Sequence, residues 1–366
     1  MQLTQWQRRQ AALLYHFSSL SYLEGLKDRI RMLRFLAEGV LDENEEKGRD
    51  RLLRTRRWGS RNTGENWENN AWPFLGDFQR SVARNIADRK SNIFHKTGAY
   101  QCARGISEFS LQWMAPEEQD EFDRKLAEVS RYAEYIDDTM DRAVYATRWD
   151  DFGLTIAWQE HESNFAVLPK FITRPELVCD SGQLPPKTGV YVSTDDPNAA
   201  LQFVWNGSDR GKLLESTTLN DLGKRALASV GRAKLWTDGD AMLRFVLNNL
   251  SCPDLVRDTF FDESQTPELA PSLVARNAFE AKPSRWCFVE LVKDEFEQIE
   301  DEVEEARPET LRFSAGEVCV RAGFYFSPAN PHSRRYFRTG EQFPVLDSEY
   351  GKTIWQWDCE QGGGAT

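Results

Sequence analysis

Histidine is scarce in this chain of 366 residues: His16, His95, His161 and His332 are all there are, and none falls in an HExxH arrangement. A GxSxG elbow, a phosphate-cradling GxxxxGK[ST] loop and a GxGxxG turn are missing too, so the commonest hydrolase, metalloprotease and nucleotide-binding signatures are excluded. The six cysteines, Cys102, Cys179, Cys252, Cys287, Cys319 and Cys359, form no CxxC pair and have no histidine beside them to complete a zinc pattern. Scattered in this way they read as buried reduced thiols. No apolar run approaches the roughly 20 residues that a membrane span needs. The opening MQLTQWQRRQAALLYHF has neither a long apolar core nor a small-residue cleavage site, so no secretion signal is expected and a cytoplasmic location is. Positive charge is the scarcer sign, 46 Lys and Arg against 58 Asp and Glu, for a net charge of −12. Phosphates demand a basic face, so neither nucleic acid nor an anionic membrane is an expected partner.

Aromatic side chains, in contrast, are abundant, with 12 Trp and 22 Phe. The densest stretch is Gly323 to Phe337, GFYFSPANPHSRRYF, continuing to Trp355 and Trp357. It repeats, without a gap, the pattern of Gly189 to Phe203, GVYVSTDDPNAALQF. Gly189/Gly323, Tyr191/Tyr325, Ser193/Ser327, Pro197/Pro331 and Phe203/Phe337 coincide. Each copy reads as an alternating strand, a turn and a segment ending on an aromatic, which predicts two related strand-turn units sharing one core.

The fold class expected is α+β: a helical bundle over residues 1–148, then a mixed domain over 149–366 that carries both copies. In the first part Leu23, Leu26, Ile30, Leu33 and Ala37 recur at spacings of three and four. Phe74, Phe78, Val82 and Ile86 do the same after Pro73. Pro116 opens a long helix with acidic residues at its start and an apolar stripe from Phe122 to Val144. Between these helices lie an arginine cluster, Arg51 to Arg57, which reads as a solvated face, and a Gly/Asn-rich loop bracketed by Trp58, Trp67 and Trp72. Those indoles either pack back on the helices or form a recognition surface. In the second part Thr155–Trp158, Phe165–Leu168, Val190–Val192, Leu201–Trp205, Trp286–Val292, Phe324–Phe326 and Thr353–Trp357 are strand candidates, and Leu219–Val230 and Ala241–Leu250 are helical.

Candidate site residues fall into three groups. Asp294 to Glu305 holds Asp294, Glu295, Glu297, Glu300, Asp301, Glu302, Glu304 and Glu305 with no basic residue, and Phe296, Ile299 and Val303 at helical spacing. It reads as a surface helix that either solubilises or steers a basic protein partner. Arg334 and Arg335 could brace neighbouring loops or bind an anion through their planar forks. Glu160 with His161, together with those arginines, offers the only candidates for chemistry, and no catalytic constellation assembles around them. Asp137 and Asp138 lie within the long helix, but no second acidic motif accompanies them and no metal or other cofactor is expected.

The C-terminal order Gly316-Glu-x-Cys319, Ala322 to Ala329, Ser333-Arg-Arg-Tyr-Phe337, Gly340-Glu-x-x-Pro344 and Tyr350-Gly-x-Thr-Ile-Trp-Gln-Trp357 resembles bacterial polymorphic-toxin immunity proteins of the families catalogued as immunity proteins 71 and 72. The resemblance is strongest over residues 310–358. It implies a non-enzymatic protein that binds a cognate secreted toxin, often a type VI effector, one to one, and it brings no catalytic residues with it. The alternative is an enzyme that reverses the toxin's modification or consumes its product.

Overall fold

The computed structural model describes residues 1–141, 149–297, 312–319, 322–328, 330–346 and 353–358. These fall into two compact units, Met1–Glu300 and Asp301–Thr366, and the architecture is mixed α+β with helices leading and antiparallel sheets following.

The first unit begins with eight helices: α1 (Gln5–Phe17), α2 (Leu20–Lys47), α3 (Asp50–Leu53), α4 (Gly64–Asn70), α5 (Trp72–Asp88), α6 (Ala99–Ser107), α7 (Pro116–Met140) and α8 (Asp151–His161). Local chemistry sets their ends. Thr4 and Gln7 form a reciprocal capping box on α1, and Ser19 caps α2, which stops at Gly48 in the left-handed conformation. Leu23, Leu26, Ile30, Leu33 and Ala37 are all buried, as their spacing predicts. Thr155–Trp158 is not a strand. Asp150 accepts a hydrogen bond from the Gly153 amide at 2.7 Å, caps α8, and starts a helix whose short apolar run has no decisive period.

The chain then forms β1 (Leu168–Asp180), β2 (Gly189–Ser193), β3 (Gln202–Val204), β4 (Ser216–Leu219), α9 (Asp221–Val230), α10 (Gly239–Asn248), α11 (Pro253–Val256), α12 (Ala270–Asn277), β5 (Phe279–Lys282) and β6 (Arg285–Glu297). Strands β1, β6, β2 and β3 lie side by side in that order, all antiparallel. One face of this sheet, with Val190, Val192, Phe203, Cys287 and Val289, shares a single core with the N-terminal helices. The Tyr15 hydroxyl of α1 donates to the Val289 carbonyl at 2.5 Å and welds helix to sheet. Residue 148, where the sequence changes texture, therefore falls inside this unit. The opposite face carries Tyr191, Val204, Trp286 and Phe288, and the pair β4–β5 with α9 to α12 builds a further small core.

The second unit contains β7 (Arg312–Ser314), β8 (Gly323–Ser327), β9 (Asn330–Phe337) and β10 (Ile354–Trp357), ordered β7-β10-β8-β9 and again antiparallel. Taken by position in the chain, both four-stranded sheets have their first, fourth, second and third strands as neighbours. Tyr191 pairs with Phe288 in one and Tyr325 with Trp357 in the other; Cys179 pairs with Trp286 and Phe313 with Trp355. The echo in the sequence is thus a repeated sheet. Its Gly, Tyr and Ser residues hold the same positions in β2 and β8, while the Pro and Phe matches are not structurally equivalent. Phe203 pairs with Val190, one step on from the Gly323–Phe337 pair of the second sheet. A one-residue slip reverses the side-chain face, so Phe203 enters the helical core and Phe337 packs with Tyr325. Among the described residues the copies also do not share one core. Cys319, Tyr325, Phe337, Phe343, Trp355 and Trp357 form a separate cluster, in which the Trp355 indole donates to the Pro344 carbonyl at 2.8 Å.

Candidate interaction surfaces

Asp294 to Glu297 is strand, not helix. It extends β6 alongside the start of β1, with Glu297 opposite Leu168 and Phe296 opposite Pro169. Cations on neighbouring elements hold its acids: Lys170 lies 2.7 Å from Glu295 and Arg8 lies 2.9 Å from Glu297. Pairing of the backbone with β1, together with these two ion pairs, outweighs the helical spacing of Phe296, which is left exposed. Glu300, Asp301, Glu302, Glu304 and Glu305 lie outside the described residues. Arg334 and Arg335 are consecutive in β9 and point to opposite faces. Arg334 pairs with Asp358 and sits 4.2 Å from the Phe324 ring centroid. Arg335 lies 4.3 Å from that of Phe337 and 3.8 Å from Glu341. Both thus brace the second sheet.

The Glu160–His161 pair is divided between two tasks. Burial opposes ionisation of Glu160, yet hydrogen bonds from Arg131 (2.7 Å) and Tyr135 hold its carboxyl below the usual range. His161 stands edge-on to Tyr135 and Phe17 with centroids at 4.6 and 5.0 Å, and burial lowers its pKa. Its neighbour His16 is pushed down to about 4 by burial and by His161. Both rings pack in an aromatic cluster with Phe17, Tyr22 and Tyr135. Asp137 accepts from the Thr97 amide and hydroxyl at 2.5 and 2.9 Å, and burial pushes it up to about 6. Asp138, in the same cavity of about 560 Å³, is pushed up to about 7 by burial and then by Glu134, Asp137 and Asp141. Among the described residues no three His, Cys, Asp or Glu side chains are grouped so as to hold a metal ion.

Sequence reasoning missed a groove of about 770 Å³ between α2 and α7. Met32 and Phe35 of α2 stand 60% and 71% exposed along it, beside Leu36, Val40 and, on α7, Val129. The signal was available. Met32 and Phe35 lie three residues apart on the side of α2 away from Leu26, Ile30 and Leu33, while Leu36 and Val40 pack at the edge of the core. Met32 and Phe35 therefore lie outside the contacts that hold α2 in the bundle.

The tryptophan-bracketed loop separates into core and surface. Trp67 is fully buried against Trp113 and Phe122, with ring centroids at 5.3 and 5.7 Å, and Trp72 packs edge-on to it. Trp58 instead stands out in solvent, 58% exposed. It belongs to a tight turn in which Thr55 and Gly59 exchange both backbone hydrogen bonds, at 3.0 and 2.9 Å. Gly59 has a φ of +59°, the left-handed conformation that closes three-residue hairpins. Arg56, Arg57 and Trp58 form the tip. Asp50 fixes the base from the other side by accepting from the Gly64 and Glu65 amides at 2.7 and 3.0 Å.

No family model, curated protein or solved structure matches this chain.

Proposed function

We propose that the chain is an immunity protein: it neutralises a cognate secreted bacterial toxin, a type VI or other polymorphic effector, by one-to-one binding in the cytoplasm and without catalysis. The toxin class rests on the C-terminal motif of residues 310–358. The binding mode rests on one observation, the apolar side chains of Met32 and Phe35 held in solvent by a rigid helix above an open groove. Contiguous exposed apolar surface on a well-packed scaffold marks a place where another protein sits. The groups that could do chemistry, Glu160, His161, Arg334 and Arg335, have internal partners or neighbours instead.

Co-expression with the product of the neighbouring gene tests this. A one-to-one complex, with growth restored only at stoichiometric amounts, is expected. Growth restored at far lower amounts without a stable complex would replace binding with an enzymatic reading. No complex and no rescue would remove the immunity reading altogether.

A further inference from the structure

The geometry points to the Arg56–Arg57–Trp58 turn as the element that docks into an acidic pocket on the protein partner. This assignment rests on the immunity reading and reverses the expected charge of the toxin surface. Of the acids expected to meet a basic partner, Glu295 and Glu297 are already paired with Lys170 and Arg8. A cluster of unpaired positive charge lies elsewhere. Among the described residues no carboxylate lies within ion-pair distance of Arg51, Arg56, Arg57 or Arg61, while Arg49 and Arg54 of the same stretch are held by Glu118 and Glu65. The two paired arginines brace the base of the loop, and the unpaired Arg56 and Arg57 lie in its tip.

Three features distinguish this from a solvated charge run. The backbone is fixed before any partner arrives, by the doubly bonded Thr55–Gly59 pair and by the Trp58 amide, which donates to the Thr55 hydroxyl at 3.0 Å. A tip ordered in advance loses little entropy on docking. The composition is that of an interface anchor, since Trp and Arg carry most interface energy where they enter a desolvated pocket. Finally, the Arg57 guanidinium lies 5.0 Å from the Trp58 ring centroid, so the indole and the charge present one joint surface. A discrete acidic protein pocket fits better than a polyanion. One turn covers few phosphates, and the net charge of −12 repels an extended nucleic acid or an anionic bilayer.

The test uses the full chain and the neighbouring gene product, with binding kinetics followed at low and raised salt. Arg56→Glu with Arg57→Glu is expected to slow association about tenfold or more at low salt, and the difference should shrink as salt screens it. Trp58→Ser is expected to speed dissociation about tenfold or more, with the association rate little changed. All three side chains are exposed, so thermal midpoints should match that of the unaltered chain. Unchanged kinetics in both variants, with the unaltered chain still binding and protecting, would overturn the docking assignment and leave the immunity reading intact. If the unaltered chain does not bind the neighbouring product, the immunity reading fails, and the docking assignment built on it fails too. Labelled duplex DNA and phosphatidylserine vesicles complete the set. Binding of either probe that Arg56→Glu with Arg57→Glu abolishes would overturn the protein partner in favour of a polyanion.

Discussion

Asp151 is the carboxylate on which the first unit depends most heavily, and removing it has a calculable consequence. Its side chain is 4% exposed. It accepts hydrogen bonds from the Trp6 indole of α1, the Trp236 indole just before α10 and the Arg232 guanidinium, each at 2.7 Å. One residue at the start of α8 thereby ties the N-terminal helix to the connection between α9 and α10. Asp151→Ala strands a half-buried guanidinium and two indole N–H groups. Breaking a buried ion pair costs about 3–5 kcal/mol, and each unsatisfied buried donor adds about 1–3 kcal/mol unless water reaches it. Arg232 is 22% exposed and Trp6 half-buried, so water will reach part of this cluster. The expected loss is therefore about 3–5 kcal/mol in total, not the full sum. At about 2 °C per kcal/mol for a unit of this length, the midpoint should fall by roughly 6–10 °C. Asp151→Asn keeps an acceptor but no charge, and should cost about half as much. Thermal unfolding followed by near-ultraviolet circular dichroism reads both, because two of the affected groups are indoles. A loss below about 1 kcal/mol in the Ala variant would mean that the three donors find other acceptors and the weld is not one.

Other expectations are as direct. Asp138→Asn should raise the thermal midpoint at pH 8 and leave it unchanged at pH 4. The folded state holds this carboxyl protonated up to about 7 beside Glu134, Asp137 and Asp141, with only Lys96 opposing them, so its stabilising contribution is complete at low pH and is lost as pH rises through that value. Equal gains at both pH values would refute the linkage. Gly211→Ala should destabilise by at least about 1–3 kcal/mol in a denaturant titration, since a Cβ there would lie 1.8 Å from the Trp205 carbonyl oxygen. Gly39→Ala on α2 meets nothing within 4 Å and should instead gain about 0.5–1 kcal/mol. The described cysteines, Cys102, Cys179, Cys252, Cys287 and Cys319, are all buried, and burial with Asp77 pushes the Cys102 thiol up to about 12. In the native protein they should react with a thiol reagent far more slowly than in denaturant, and rapid stoichiometric labelling of the folded chain would contradict the burial.

Where one local rule governs a stretch, sequence and structure agree. Pro116 and the apolar stripe from Phe122 place α7, and Trp286–Val292 reads directly as a buried strand, found within β6. Agreement fails where two rules compete. Thr155–Trp158 has β-branched residues but follows the cap at Asp150, and the cap prevails. Asp294–Glu297 has a helical apolar spacing but continues a strand already paired with β1. For the surfaces the limit is different in kind. Nothing local separates Trp58 from Trp67. One is exposed and the other buried because Asp50 anchors α4 from a distance along the chain. The groove could have been read, because Met32 and Phe35 keep helical spacing on a face that the bundle does not need.

Two sheets of the same strand order in one chain set a sorting problem whenever the full-length chain refolds. The fourth strand of the first sheet follows its third after 80 residues (205 to 284), that of the second after 16 (338 to 353). By loop-closure entropy alone the longer return costs about 1.4 kcal/mol more, so the β2–β3 hairpin is the one left waiting for its partner. The strand that could intrude is β10, whose Trp355-Gln-Trp357 resembles Trp286-Cys-Phe288 in outline. The middle residue decides between them. Cys287 faces the helical core beside Val190 and Val289, and Gln356 in its place would bury an amide with nothing to bond. One side chain, on the face that the repeat does not advertise, thus disfavours β10 in the place of β6.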